Sequence, residues 1–232
     1  MVLGEIGFAT EHRGEWIAIR RELDDYVGWT HQGYVRVAGT EETARWLETA
    51  VGRADGARLR LENAREIVLP LMARLAPVAS RWMLPDGTQG TLIQGAVTPA
   101  EMLTTQARMV RAFDWAMQRY SAAPYQWGGI TPWGVDCSGL VQTTFGARGM
   151  RVPRDSNDQR RLGAPVNEAD LEPDDLLFFG DSADRITHVA MFGEGTLVHS
   201  TIACGGFVVE PWKEGARAWT LRPKLQGIRR LK

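Results

Sequence analysis

Hydrophobic residues in the first hundred positions occur in short runs separated by glycine and polar turns, a pattern typical of small β modules. Apolar-rich runs predict strands at 15–19, 27–30, 34–37, 64–69, 73–79, 81–84 and 88–97. Asp86-Gly87 is a hairpin turn signal between the last two of these strands. Thr40–Thr49 is different, since its composition predicts a helix with Thr40 as the N-cap and two glutamates in the first turn. The pattern therefore predicts two small β modules.

From about residue 98 the apolar residues change to helical spacing. Thr98-Pro99-Ala100-Glu101 has the composition of a capping box with proline at the first helical position, and apolar residues then recur on one face as far as Tyr120. A second helix is predicted over Cys137–Ala147, after a glycine-rich loop. Strands are predicted at 176–179, 187–192, 196–199 and 207–210, with a last one after Leu225. Helices followed by an antiparallel sheet predict an α+β domain.

Composition and charge narrow the class of protein. The 232 residues are 44% hydrophobic and 24% charged, with a net charge of −1, which is typical of a soluble globular protein. Such a charge gives no electrostatic reason to expect nucleic acid or a membrane as a partner. The first residues lack the basic and apolar regions of a signal peptide, and no segment approaches the roughly 18 apolar residues that span a bilayer. These features favour a cytoplasmic protein.

The cysteine and histidine content excludes two kinds of site. Two cysteines, Cys137 and Cys204, do not make a disulfide framework, and a bridge between them would consume the candidate nucleophile. The four histidines are scattered without the spacing of metal ligands, so we expect no metal and no cofactor. Cys204 has none of the surroundings of a reactive thiol and is interpreted as structural.

Cys137 differs because it lies in the first turn of a predicted helix, with Asp136 at the capping position. A free thiol has a pKa of about 8.5, and a helix N-terminus and a nearby imidazole both lower it. His188 in a predicted strand is the candidate base, and His199 at the end of the next strand is the candidate group that orients it. Spacing alone supports two interpretations of Cys137, His188 and His199 about equally well: a catalytic set, or three buried residues with only a structural role.

Five segments then resemble, in order, the motifs of the NlpC/P60 family of cell-wall cysteine peptidases, over about residues 101–232. They are Tyr125–Gly129, Asp136–Val141, Pro153–Ser156, Asp175–Phe179, and His188-Val189 with Val198–Ser200. The resemblance implies a papain-like α+β core. It also implies Cys137 as nucleophile, His188 as general base and His199 as the orienting residue.

The same resemblance implies roles for three further residues. Tyr125 corresponds to the family's tyrosine beside the oxyanion site, and Asp136 and Ser138 correspond to positions that help to bind substrate in related endopeptidases. Asp174 stands where the family usually has glycine. We expect this departure to change the type of turn and to leave activity intact.

Both β modules resemble bacterial SH3 domains, on Glu15-Trp16 and Asp24–Trp29 in the first and on Leu84–Gly87 with Gly90 in the second. The expected domains are an N-terminally shortened SH3-like module at 1–38, a second at 39–99, and the NlpC/P60 peptidase domain at 100–232. This order resembles that of γ-D-glutamyl-L-diamino acid endopeptidases, in which the first module borders the active site and selects peptides with a free N-terminal L-alanine. Glu5 and Tyr26 are the candidates to contact that amine, although Tyr26 could equally pack inside its module.

The expected function is therefore that of a cysteine endopeptidase that hydrolyses the γ-D-Glu–diamino acid bond of muropeptides. Its partners would be peptidoglycan-derived peptides, and the sequence assigns no oligomeric state. The alternatives are another cell-wall amidase or endopeptidase with the same chemistry, and a peptidoglycan-binding protein with an idle peptidase domain. The cytoplasm is the favoured location, or the cell envelope if the shortened N-terminus once held an export signal. Catalysis is expected to depend on a Cys137 thiolate.

Overall fold

The structure, a computed structural model, describes residues 1–231. Contacts within the chain divide it into two compact units, Met1–Leu103 and the residues from Thr104 onward. The first unit is mostly β, and the second contains both helices and a sheet. No helix in the described part of the chain has the length and apolar content needed to cross a membrane.

The strands of the first unit are antiparallel and form two sheets. The elements are β1 Gly7–Arg13, β2 Trp16–Arg21, β3 Val27–His31, α1 Thr40–Thr49, β4 Gly52–Leu61, β5 Glu66–Val68, β6 Arg74–Val78, β7 Arg81–Met83 and β8 Gln89–Pro99. One sheet has the order β1-β2-β3 and the other β5-β4-β6-β7-β8. Because β8 also pairs with β4 along its length, the second sheet closes into a small barrel around a core that includes Leu59 and Leu75.

Two predictions in this part of the unit are wrong, and two strands were not predicted. The predicted strand at 34–37 is not a strand: Gln32–Tyr34 is a 3-10 turn, and Tyr34 and Val37 are both 86% exposed, so the run has no buried face. Thr40 does not cap α1, because the helix begins at Thr40 and the N-cap residue is Gly39. The missed strands are β1, which is almost entirely exposed, and β4, whose buried positions are mainly glycine and alanine between charged residues.

The second unit contains a six-stranded antiparallel sheet, a separate two-stranded pair, and the helices packed around them. From residue 100 the elements are α2 Ala100–Arg108, α3 Ala112–Tyr120, β9 Ile130–Thr131, β10 Gly134–Val135, α4 Cys137–Ala147, α5 Ser156–Gln159, β11 Ala164–Pro165, β12 Leu176–Ser182, β13 Arg185–Gly193, β14 Thr196–Thr201, β15 Gly206–Pro211 and β16 Leu225–Arg230. The six-stranded sheet has the order β11-β16-β12-β13-β14-β15, and β9 and β10 form the separate pair. Buried α4 packs against β13 and β14, and α3 packs against α4. Helices followed by an antiparallel sheet agree with the predicted α+β character.

The helix predicted from Thr98 to Tyr120 is two helices, α2 and α3, because side chains from elsewhere satisfy the backbone groups at the break. Arg148 donates hydrogen bonds to the carbonyl oxygens of Ala107 and Val110, both at 2.6 Å. The Asp174 carboxylate accepts the Phe113 N–H at 3.0 Å. A helix end with satisfied donors and acceptors can stop without an energetic penalty.

Asp174 lies in a turn, and the expected change of turn type there stays a prediction. Asp174 has a φ of 77°, the left-handed region that glycine favours and that aspartate tolerates better than most residues. Its carboxylate is used to cap α3. The aspartate therefore keeps a glycine-like backbone conformation and adds a hydrogen bond.

Candidate active site

Cys137 is the first residue of α4, as predicted, and its helix start is capped by Asp136. The Asp136 Oδ1 atom accepts the Gly139 N–H at 2.7 Å, which satisfies one of the free donors of the first turn. Position 139 requires glycine because a Cβ there would lie 2.1 Å from the carbonyl oxygen of Gly129. The glycine-rich loop is thus held directly against the helix start.

A buried ion pair lies beside Cys137. Arg154 donates to Asp136 Oδ2 at 2.6 Å and to Ser138 Oγ at 2.8 Å, and the Arg154 and Asp136 side chains are 7% and 8% exposed. Asp136 Oδ2 also accepts the Gly128 N–H at 2.7 Å. Asp136 and Ser138 are therefore engaged in internal contacts, and their part in substrate binding stays a prediction. Arg154 lies in one of the quoted motifs, but its role was not predicted.

Cys137 is buried, with 8% of the residue exposed, and its sulfur lies against β13. Burial raises the pKa of the Cys137 thiol to about 11, and the Asp136 charge raises it further, whereas hydrogen bonds from the Val189 and Ser138 backbone and the Arg154 charge lower it. Burial is the largest of these effects on the Cys137 pKa. The expectation that Cys137 is a thiolate at neutral pH is wrong for this resting geometry, in which the group is a neutral thiol.

His188 lies on β13, one residue before Val189, and contacts His199 of β14. Its Nε2 atom is 2.7 Å from His199 Nδ1, and its ring stacks on Phe179 with centroids 5.9 Å apart. Burial lowers the pKa of His188 to about 3, and the nearby His199 and Arg217 charges act in the same direction. The structure thus brings the predicted base and orienting residue together, with a neutral imidazole at position 188.

His199 has a second partner that the sequence analysis missed. Its Nε2 atom is 3.0 Å from Glu210 Oε2, and Arg217 holds the same carboxylate through a 2.7 Å bond from Nε to Oε1 and a second contact. Burial lowers the pKa of the His199 ring, while Glu210 raises it. Glu210 is found only from the register of the strands, since His199 opposes Val208 and Glu210 is two residues further along the same face of β15.

Tyr125 lies close to Cys137. Its N–H donates to the Gly205 carbonyl at 2.8 Å, and the residue bridges to Val135, just before the helix start. Burial raises the pKa of the Tyr125 hydroxyl to about 12, followed by the effects of Cys137 and Asp136. The position agrees with a place beside the nucleophile, and the oxyanion role stays a prediction.

The remaining predicted site residues belong to other surroundings. Glu5 is in the first unit, where its carboxylate accepts the Val2 N–H at 2.8 Å and pairs with Arg21 at 3.3 Å. Tyr26 is also in that unit and is 39% exposed. Contact of either residue with substrate stays a prediction. Cys204 is an exposed free thiol and Cys137 a buried one, so the two are not bridged.

Comparison with known proteins assigns the region that contains these side chains to a family. A model described as the NlpC/P60 family matches residues 122–220, a stretch that holds Tyr125, Cys137, His188, His199 and Glu210. The chain carries an NlpC/P60 family domain. Relatives of this domain have the names of peptidases and endopeptidases, and the domain is a cysteine peptidase domain of that family.

Two relatives and one solved structure describe the similarity. A protein of Bacillus subtilis (strain 168) named gamma-D-glutamyl-L-lysine dipeptidyl-peptidase is 26% identical over 222 residues, or 86% of this chain and 71% of its own length. A Bacillus cereus (strain ATCC 10987 / NRS 248) protein of the same name is 40% identical over 80 residues, 33% of this chain and 24% of its own length. The crystal structure of an NlpC/P60 family protein from Bacillus cereus ATCC 10987 has a TM-score of 0.76 at 23% identity, and covers 98% of this chain and 80% of its own. This last similarity shows the fold.

Proposed function

We propose that this protein is a cysteine endopeptidase that hydrolyses the γ-D-Glu–diamino acid bond of peptidoglycan stem peptides, with preference for muropeptides that have a free N-terminal L-alanine. The observation that carries the proposal is the 2.7 Å contact between His188 Nε2 and His199 Nδ1. His188 lies on β13, and the next residue of that strand, Val189, hydrogen-bonds the Cys137 sulfur through its backbone N–H. The names of the relatives support the choice of bond.

The chemistry follows the two-step pattern of thiol hydrolases. Cys137 Sγ attacks the carbonyl carbon of the γ-amide while its proton passes to His188, which then gives that proton to the departing amine of the diamino acid. Water attacks the resulting thioester and loses a proton to His188, and the C–S bond breaks to regenerate the thiol. Backbone N–H groups near Cys137 and the Tyr125 side chain are the candidate donors to the oxyanion.

Because Cys137 and His188 are both buried, their charges form together during the reaction and not beforehand. Burial disfavours a thiolate formed alone and an imidazolium formed alone, as the two pKa values show. Opposite charges that form together stabilise each other strongly where water is excluded. Proton transfer from Cys137 to His188 is therefore coupled to attack on the substrate, and the resting site stays neutral.

Substrate selection is assigned to the first unit. The closed barrel of β4 to β8 supports the interpretation of residues 39–99 as an SH3-like module, and residues 1–38 are proposed as the other. Glu5 and Tyr26 are proposed to contact the free amine of the peptide. A Glu5→Gln variant should raise KM for L-Ala-γ-D-Glu-L-Lys, and should leave a peptide with an acetylated N-terminus unaffected.

The test is release of L-Ala-γ-D-Glu from this tripeptide, followed by mass spectrometry. Cys137→Ala should abolish release, and Cys204→Ser, at the exposed cysteine, is the matched control that should retain it. Undiminished turnover by Cys137→Ala would overturn the proposal. Cleavage of intact sacculus at another bond would identify a different endopeptidase or an amidase, and binding to sacculus without any product would identify a binding protein.

A further inference from the structure

We propose that Glu210 is a positioning residue of this site: it fixes the tautomers of His199 and His188, so that the Nδ1 atom of His188 carries the lone pair that accepts the Cys137 proton. The inference rests on the proposed function for its kinetic consequence. The tautomers themselves follow from the hydrogen bonds together with the burial of the two rings, and need no substrate.

The first step concerns the contact between Glu210 and His199. Arg217 binds the Glu210 carboxylate through both of its oxygens, and the Glu210 side chain is 11% exposed. An ionised carboxylate has only acceptor sites. The 3.0 Å contact with His199 Nε2 therefore requires that Nε2 of His199 carries the hydrogen.

The tautomer of His199 determines the tautomer of His188. His199 is 1% exposed, and burial, the largest effect on it, lowers its pKa, so the ring is neutral and has one N–H. With that hydrogen on Nε2, Nδ1 of His199 is an acceptor. The 2.7 Å contact then makes His188 the donor through its own Nε2, and the neutral His188 ring is left with its lone pair on Nδ1.

The opposite arrangement shows why the carboxylate is needed. If the hydrogen of His199 were on Nδ1, His199 would donate to His188 Nε2, and the His188 hydrogen would have to move to Nδ1. The ring would then have no free lone pair on Nδ1 for the thiol proton. Stacking on Phe179 and the bond to His199 hold the His188 ring in place, so that a ring flip does not restore the base.

Glu210→Gln is the perturbation that separates charge from shape. The amide of glutamine can donate to His199 Nε2 as well as accept from it, so it stabilises the wrong tautomer as well as the right one. We expect kcat for L-Ala-γ-D-Glu-L-Lys to fall about tenfold or more with little change in KM, since the substrate site is untouched. Glu210→Asp keeps an acceptor-only group and should recover part of the loss.

Long-range ¹H–¹⁵N correlation NMR on histidine-labelled protein reads the tautomers directly and needs no substrate. In the wild type we expect the hydrogen on Nε2 of both His188 and His199, and in Glu210→Gln a mixture of tautomers. The matched control is Glu168→Gln, which removes an exposed carboxylate that also pairs with an arginine, Arg222, at 2.9 Å. This control should change neither the spectrum nor kcat.

Two results would overturn the inference. One is a wild-type spectrum with the hydrogen of His188 on Nδ1, and the other is a Glu210→Gln variant that keeps both the wild-type spectrum and the wild-type kcat. If Glu210→Gln does not fold, the wild-type spectrum and Glu210→Asp still decide the matter. Failure of the proposed function is distinguishable, because it would show as absent cleavage by the wild type with the expected tautomers in place.

Discussion

Replacement of Arg154 by methionine tests whether the ion pair beside Cys137 holds the start of α4. The substitution removes the bonds to Asp136 Oδ2 and Ser138 Oγ and leaves a carboxylate that is 8% exposed without its counter-ion. Loss of one partner of a buried pair costs about 3–5 kcal/mol. Asp136 keeps the N–H groups of Gly128 and Gly139, so we expect the lower end, about 3 kcal/mol.

This cost predicts a large shift in melting temperature. An unfolding entropy of about 2.1 cal/mol/K per residue gives about 0.27 kcal/mol/K for a unit of about 130 residues, so the transition of the second unit should fall by about 11 °C. Differential scanning calorimetry measures it, and Arg154→Lys should lie between, since an ammonium cannot make both bonds in one plane. The control Arg185→Met breaks an exposed pair with Asp181 and should shift the melting temperature by about 2 °C or less. An equally small shift for Arg154→Met would refute the reasoning.

Three further predictions concern the buried His188, the turn at Asp174 and the two cysteines. The free energy of unfolding should fall as the pH drops from about 6.5 toward 3, because the imidazole of His188 takes up a proton when unfolded but, with its pKa lowered to about 3, not when folded. In urea titrations, the dependence of this free energy on pH should be shallower for His188→Gln than for the wild type, by up to about 1.4 kcal/mol per pH unit, and equal dependences would contradict the prediction. Asp174→Ala should lower the free energy of unfolding by about 1–2 kcal/mol, measured in thermal melts, because alanine loses the bond to the Phe113 N–H and is strained at a φ of 77°. Asp174→Gly loses the same bond without that strain and should cost less, and a larger cost for glycine would contradict the prediction. Iodoacetamide at about pH 7.5 should label the exposed Cys204 before the buried Cys137. Peptide mapping by mass spectrometry measures the two rates, and faster labelling of Cys137 would show that its thiol is not neutral at rest.

The elements that the sequence predicted well are those with local signals. The bounds of α4 are those predicted, since its cap, Asp136, and its first residue are neighbours in the chain. The break between α2 and α3 could not be predicted, because Arg148 and Asp174, which satisfy the backbone there, are far away in sequence. The same holds for β4, whose burial depends on pairing with β8.

The site shows the same division between local and tertiary signals. The contact of His188 with His199 was expected from two adjacent strands, but Glu210 enters the site only through the register of β14 and β15. The direction of the Cys137 pKa was predicted wrongly, since a helix start is visible in sequence whereas burial is a property of the packed fold.

The nucleophilic role of Cys137 is tested most directly by an acid-quenched single turnover of L-Ala-γ-D-Glu-L-Lys, followed by peptide mapping. The account predicts an L-Ala-γ-D-Glu acyl group on the peptide that holds Cys137, removable by neutral hydroxylamine as a thioester should be, and no such adduct in Cys137→Ala. An acyl group mapped to another side chain, or release of L-Ala-γ-D-Glu by Cys137→Ala at the wild-type rate, would contradict it.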